Sequence, residues 1–133
     1  MNRTEERKIT FEILYTLPFN TQKSCDEIIE LYKQANDYEQ LSEYIINTVS
    51  GVYTNLEFID EKIKENIKTR KFERLDNICL TAMRYALYEM FYNDEIPEVV
   101  AINEAIELTK KYDSSLASFV HANLGTISNL KNE

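Results

Sequence analysis

Glycine, proline and histidine are scarce in this chain. Its 133 residues include two glycines, two prolines, one histidine and no tryptophan. Because glycine and proline mark most turns, their scarcity argues against a turn-rich all-β fold and favours long, uninterrupted helices. No apolar run approaches the roughly 18 residues of a membrane span, and the N-terminus has no apolar signal core. We therefore expect a helical protein that stays in the cytoplasm, with no membrane contact.

Cysteine and histidine are too few and too scattered to predict a metal site or a disulfide framework. Cys25 and Cys79 are isolated and show no CxxC spacing, so both are expected to be reduced thiols. His121 is the only histidine, and one histidine with two separated cysteines is not a zinc-ligand pattern. No P-loop, GxGxxG, HExxH or GxSxG motif occurs. We expect no metal, no cofactor and no catalytic activity.

The net charge of −8 argues against nonspecific affinity for nucleic acid. Residues 62–74 are an exception, because they hold six of the fifteen basic residues and only two acidic ones, a net of +4 that leaves −12 for the rest. This segment is either a solvated face whose excess positive charge is cancelled by salt bridges to neighbouring acidic residues, or a surface that binds an anionic partner. Composition alone does not decide between the two.

Apolar residues recur at helical spacing along the chain and predict an all-α fold with no strands, in one domain over residues 1–133. Ser24 with Glu27 has the spacing of a capping box, and Asp37, Asn55 and Asp76 are predicted to begin further helices. The predicted helices cover about residues 3–17, 24–36, 37–53, 55–67, 76–92, 97–112 and 114–130.

The helix over 76–92 is apolar on nearly all sides, which predicts a central position. Two packed helical sub-bundles should share one core, with the fourth and fifth helices where they meet. Gly51 lies inside the apolar pattern of the third helix and is expected to permit close packing. Leu31 and Val99 are assigned to inward faces, and Pro97 to the first residue of the sixth helix.

Several residues allow either a structural or a binding interpretation. Most of the nine tyrosines and six phenylalanines must be core, but exposed rings stack on bases or pack on a partner. The candidates for that role are Tyr15, Tyr88, Tyr92 and Phe119. Glu104 and Glu107 lie on one face of the sixth helix, where they serve either solvation or a protein contact.

Two segments resemble signatures of the NusB family of bacterial transcription antitermination factors. One comprises RYALYE at 84–89, IP at 96–97 and VAINEAIEL at 100–108. The other is the start of the chain, where a basic helix leads into Leu14-Tyr15. Gly51-Val52 and Asp60 also stand where the family often has Gly-Val and Asp. The resemblance covers nearly the whole chain, and its most specific part is the run from Ile96 to Leu108.

The resemblance implies a seven-helix NusB-like fold of two packed three-helix sub-bundles. It also implies binding of boxA-type single-stranded RNA together with the small-subunit ribosomal protein NusE, in support of ribosomal RNA operon transcription. Some members form homodimers, so a homodimer is possible here. The alternative is a helical protein–protein interaction module with weak or lost RNA binding. Two observations favour this alternative. The net charge of the chain is negative, and residues 119–125 read FVHANLG where the family often has FVNGVLD.

The resemblance assigns two sets of residues. Basic side chains would contact phosphates, and Tyr15 or Phe119 would stack on bases. The RNA-binding set is Arg3, Arg7, Lys8, Tyr15, Arg70, Lys71, Phe119, His121 and Asn123. The protein-partner set is Arg84, Tyr88, Glu104 and Glu107. Arg7→Glu is expected to weaken RNA binding without changing the melting temperature, and Arg84 could instead form a bridge to Glu104 or Glu107.

Overall fold

A computed structural model describes residues 1–67 and 71–133, and over these residues the chain is helical with no β-strand. Three 3₁₀ turns lie between α-helices, at Leu17–Phe19, Phe72–Arg74 and Ser114–Leu116. Within the described ranges no helix is both long and apolar enough to cross a membrane. The predicted all-α class is confirmed. The α-helices in the described residues are α1 (Arg3–Tyr15), α2 (Cys25–Ala35), α3 (Glu43–Thr54), α4 (Leu56–Asn66), α5 (Asn77–Tyr92), α6 (Glu98–Asp113) and α7 (Ala117–Lys131).

Helix α5 is the element that the others surround. Helices α1, α2 and α3 pack on one another, and α4, α6 and α7 contact α5 from its other sides. Because α1 and α3 also contact α5, this helix belongs to both halves of the molecule. Its residues from Cys79 to Leu87 are all buried, so the predicted central position is confirmed.

Side-chain caps begin four of the helices. Ser24 Oγ accepts a hydrogen bond from the Glu27 amide, and the Glu27 carboxylate accepts one from the Ser24 amide, which confirms the capping box. Asp76 accepts from the Ile78 amide at the start of α5. Asn2 and Ser42 cap α1 and α3 in the same way. These bonds satisfy amides that the first helical turn leaves without partners.

Four predicted helix starts differ from the structure. The seventh helix was predicted to begin at residue 114, but residues Ser114–Leu116 form a 3₁₀ turn and α7 begins at Ala117. Asp37 does not begin the third helix, because its φ of 60° places it in the left-handed region, and α3 begins after Ser42. Asn55 precedes α4 without capping it by its side chain, since its Nδ2 donates to the Gly51 carbonyl at 2.8 Å and closes α3. Pro97 is the N-cap of α6, one position before the predicted one.

The predicted inward positions of Leu31 and Val99 are wrong. Leu31 is 45% exposed and Val99 is 63% exposed. Successive helical residues are rotated by about 100°. Leu31 therefore lies roughly 110° from the stripe of α2 that holds Ile28 and Ile29. Val99 lies roughly 160° from Ala101, a member of the buried stripe of α6. Both residues were predicted to face inward because their side chains are apolar. Their positions around the helix, away from the buried stripe, place them on the surface instead.

Helices α3 and α5 approach each other closely at Gly51. A Cβ atom built on Gly51 would lie 2.1 Å from Cε1 of Tyr88, a distance that real Cβ atoms do not reach. The absence of a side chain therefore lets the Tyr88 ring lie against the backbone of α3. The predicted role of Gly51 in close helix packing is confirmed.

Replacing Gly51 by alanine should destabilise the protein by about 1 kcal/mol, because displacing the half-exposed Tyr88 ring costs more than the ordinary advantage of alanine over glycine within a helix. The control is Gly125→Ala in α7, where a Cβ meets nothing within 4 Å. That change should stabilise the fold by about 0.5–1 kcal/mol, the ordinary advantage of alanine over glycine within a helix. Urea unfolding of both variants measures the difference, and equal stabilisation by both would contradict the contact.

Candidate nucleic-acid interface

Helix α1 has a buried side and an exposed side. Ile9, Ile13 and Leu14 are buried in the core. Lys8 and Tyr15 are exposed, and because they are seven residues apart they lie on the same face, two turns from each other. The fold thus presents a cation and an aromatic ring together on the surface of α1.

Four aromatic rings gather at the C-terminal end of α1. We call Phe11, Tyr15, Phe19 and Tyr112 the aromatic cluster. Phe11 and Tyr112 are stacked with ring centroids 4.8 Å apart, and the Tyr15 centroid lies 6.5 Å from that of Phe11 and 6.1 Å from that of Phe19. Phe19 is 70% exposed and Tyr112 is 45% exposed. Phe11 is buried beneath them. Exposed rings such as Tyr15, Phe19 and Tyr112 are platforms on which nucleic-acid bases stack.

A groove of about 300 Å³ lies within the aromatic cluster. We call it the α1–α6 groove; its lining residues are Phe11, Glu12, Tyr15, Ile78 and Tyr112. The Tyr32 hydroxyl donates to Glu12 Oε1 at 2.6 Å. Burial raises the pKa of Tyr32, and the hydrogen bond to Glu12 raises it further. Burial also raises the pKa of Tyr112, with the Glu12 carboxylate adding to the effect.

The segment that follows Lys71 lies beside the same end of α1. Phe72 and Leu75 line a second cavity, of about 410 Å³, together with Pro18 and Phe19. Asn77 Nδ2 donates to the Tyr15 carbonyl at 3.0 Å and so joins the start of α5 to the end of α1. Lys71 itself is exposed. The predicted RNA-binding residue Arg70 lies outside the described residues.

Arg7 occupies the core and not the surface. It is 4% exposed, and its Nη1 lies 2.9 Å from Oε1 of Glu89. The Tyr44 hydroxyl donates to Glu89 Oε2 at 2.6 Å and lies 2.6 Å from the Tyr85 hydroxyl. Since Tyr44 has one proton to donate, Tyr85 is the donor to Tyr44. The expected exposure of Arg7 is wrong, because the buried Glu89 carboxylate requires its charge.

The neighbours of Arg7 keep it protonated. Burial favours the neutral form of the guanidinium, but Tyr85 and Glu89 outweigh burial and raise the pKa of Arg7 above its ordinary value. Arg3, one turn earlier, remains half exposed. Its guanidinium carbon lies 3.9 Å from the centroid of the Tyr44 ring, and its Nε lies 3.2 Å from Glu6 Oε1. Arg3 is therefore at the far end of α1, roughly 18 Å along the axis from Tyr15.

The predicted residues on α7 do not converge on the α1–α6 groove. His121 is exposed and lines a different groove, between α6 and α7, with Val99 and Asn103 among its neighbours. Phe119 is half-buried and packs against the core. Asn123 donates from Nδ2 to the Phe119 carbonyl at 2.8 Å, within its own helix. Neither His121 nor Asn123 is among the residues that line the α1–α6 groove.

Arg84 is also used inside the protein. It is 8% exposed, and its Nε and Nη2 donate to the two carboxylate oxygens of Asp60, each at 2.9 Å. The bridge therefore joins α5 to α4, and the predicted alternative partners were wrong: Glu107 is exposed and pairs with Lys110 at 3.4 Å, and Glu104 is half-buried. Because Arg84 is buried and its guanidinium is held by a bidentate pair, it has little to offer a second protein.

A second aromatic surface lies on α4 and α5. Phe58 and Tyr92 are 40% and 42% exposed, with ring centroids 5.8 Å apart. Phe91 lies edge-on to Phe58 at 5.4 Å, and Tyr88 stacks on Tyr92 at 5.8 Å. We call these four rings the α4–α5 surface. Phe58 was not a predicted site residue, although it falls outside the inward stripe of α4 that includes Ile59.

Nor were Phe11, Glu12 and Tyr112 predicted as site residues. Phe11 and Tyr112 come from helices about 100 residues apart in sequence, and only the folded chain brings them together. Glu12 had a weak sequence signal, because it lies one turn after Lys8 and one turn before Tyr15 on the exposed side of α1.

Comparison with known proteins gives consistent results. Residues 4–129 match the protein-family model that is described as the NusB family. The chain is 38% identical to the transcription antitermination protein NusB of Clostridium acetobutylicum, over 100% of this chain and 99% of that protein. It is 37% identical to the protein of the same name from Clostridium novyi, over 96% of this chain and 98% of that protein. The structure of T. maritima NusB superimposes with a TM-score of 0.81 and 25% identity, covering 97% of this chain and 92% of that one.

Replacing Arg7 by methionine should destabilise the protein by about 3–5 kcal/mol, because it leaves the buried Glu89 carboxylate without its countercharge. The matched control, Lys8→Met, changes an exposed cation and should stay within about 0.5 kcal/mol. The double change Arg7→Met with Glu89→Leu should recover much of the lost stability. Urea unfolding measures all three, and an Arg7→Met variant as stable as the control would refute a structural role.

Proposed function

The chain belongs to the NusB family of transcription antitermination proteins, and on that premise we propose that it binds single-stranded RNA at the aromatic cluster and a protein at the α4–α5 surface. The RNA is a boxA-type single strand, and the protein is the small-subunit ribosomal protein NusE. Together they support transcription of ribosomal RNA operons in the cytoplasm. The role is one of binding, without a catalytic step.

The observation that supports RNA binding is the aromatic cluster, in which the rings of Tyr15, Phe19 and Tyr112 are exposed, with the cation Lys8 nearby on α1. Stacking of bases on aromatic rings tolerates many sequences and suits single strands. Lys8 lies on the same face of α1, and the segment that follows Lys71 borders the cluster. Two or three phosphate contacts would give a salt slope of only about −1.4 to −2.1. For a chain of net charge −8, stacking is expected to contribute more to affinity than charge.

The α4–α5 surface supports the protein contact. Its exposed rings, Phe58 and Tyr92, are of the type enriched in the centres of protein interfaces. Lys62 lies with Nζ 5.4 Å from the Phe58 centroid, which adds a cation at the edge. This surface shares no residue with the aromatic cluster, so one molecule offers separate places to an RNA and to a protein.

The alternative is a protein-interaction module that has weak RNA binding or none. The burial of Arg7 favours it, because one of the basic residues assigned to RNA is committed to Glu89. The same observation leaves Lys8 as the cation nearest the cluster on α1. Binding measurements with each partner separately distinguish the two functions.

Tyr15→Ala should weaken binding of a fluorescent boxA-type RNA by about tenfold, since stacking of one base contributes about 1–3 kcal/mol. Fluorescence anisotropy at several salt concentrations measures the affinity and its slope. Tyr92→Ala, which removes a similarly exposed tyrosine from the other surface, should leave RNA affinity unchanged. Equal affinity of Tyr15→Ala and the unaltered protein would remove the aromatic cluster from the RNA site.

Phe58→Ala and Tyr92→Ala should each weaken binding of NusE by about tenfold or more, because loss of a central interface ring costs about 2 kcal/mol. Isothermal titration calorimetry measures this, with Tyr15→Ala as the control that should bind normally. Tight NusE binding without measurable RNA binding at low salt would favour the alternative function. Normal NusE binding by both variants would place the protein contact elsewhere.

A further inference from the structure

The α1–α6 groove holds one carboxylate among apolar walls. Rings of the aromatic cluster and the side chain of Ile78 line most of it, and Glu12 supplies the charged group. A volume of about 300 Å³ is at the lower end for sites that take small organic ligands. Such a space suits one flat, polar-edged group better than a peptide segment.

A residue outside the groove orients the carboxylate. Tyr32 on α2 does not line the groove, and its hydroxyl donates to Oε1 of Glu12 at 2.6 Å. The Tyr32 ring is itself held by stacking on Tyr38, with centroids 6.3 Å apart. Within the described parts of the chain, Oε2 of Glu12 receives no hydrogen bond. The carboxylate is thus fixed at one oxygen and keeps acceptor capacity for a ligand.

A carboxylate distinguishes the bases by their donors. Guanine alone presents two adjacent donors, N1–H and the 2-amino group, that match two carboxylate oxygens side by side. Adenine and cytosine offer one amino group next to an acceptor. Uracil offers N3–H between two carbonyl oxygens, which the carboxylate repels. An ionised Glu12 therefore favours guanine and disfavours uracil.

We propose that the α1–α6 groove binds an unpaired guanine of the RNA, which Glu12 selects through N1–H and the 2-amino group. The inference rests on the proposed RNA-binding function and adds a base preference to it. The exposed faces of Tyr15 and Tyr112 provide stacking surfaces at the mouth of the groove. Lys8, one helical turn before Glu12 on the same face, offsets the repulsion between the carboxylate and nearby phosphates.

The test uses three oligouridine RNAs of equal length that carry guanosine, inosine or uridine at one central position. The unaltered protein should bind the guanosine RNA about tenfold more tightly than the uridine RNA, as expected for a bidentate contact. Inosine lacks the 2-amino group and should fall between them. Fluorescence anisotropy at one salt concentration gives the three affinities.

Glu12→Gln should abolish the preference for guanine. The glutamine side chain has one acceptor oxygen, and its NH₂ group would face the second guanine donor, with which it forms no hydrogen bond. Glu5→Gln is the matched control, since it removes the same charge from α1 two turns away, roughly 10 Å along the axis, and should keep the preference. Equal affinities of the unaltered protein for all three RNAs, or a preference retained in Glu12→Gln, would overturn the guanine site and leave the proposed function intact. Absence of binding to any RNA would overturn both.

Discussion

The buried ion pair between Arg7 and Glu89 determines how α1 lies on the rest of the molecule. A carboxylate that is 1% exposed needs donors, and Glu89 has two, Arg7 from α1 and Tyr44 from α3. Only one rotation of α1 about its axis brings Arg7 to Glu89. That rotation carries Lys8 and Tyr15 outward, so the exposed face of α1 depends on a contact that is buried inside the protein.

Close helix packing has a corresponding effect on the α4–α5 surface. Gly51 lets the Tyr88 ring lie against α3, and Tyr92, one turn later on α5, stacks on that ring. The Arg84–Asp60 bridge fixes α4 against α5 and thereby places Phe58 beside Tyr92. Two internal contacts thus support rings that are themselves exposed.

Local signals predicted much of the fold, and long-range pairing explains most of what they missed. The capping box at Ser24, the cap at Asp76 and the central position of α5 all follow from neighbouring residues. The burial of Arg7 depends on Glu89, which is 82 positions away, and that of Arg84 on Asp60, which is 24 positions away. Charged residues in a basic or polar stretch look exposed until the partner is known. The α1–α6 groove could not be predicted from the sequence for the same reason, because α1 and α6 are far apart in sequence and each supplies part of its lining.

The same central helix supports both proposed binding regions, one near each end. Asn77 at its start holds the Tyr15 carbonyl, and Tyr92 at its end belongs to the α4–α5 surface, roughly 22 Å further along the axis. This helix is continuous and buried over most of its length, so it offers no hinge between the two regions. The free energies of RNA and protein binding should then be additive on this chain alone. Cooperativity between the two ligands would have to arise where they touch each other.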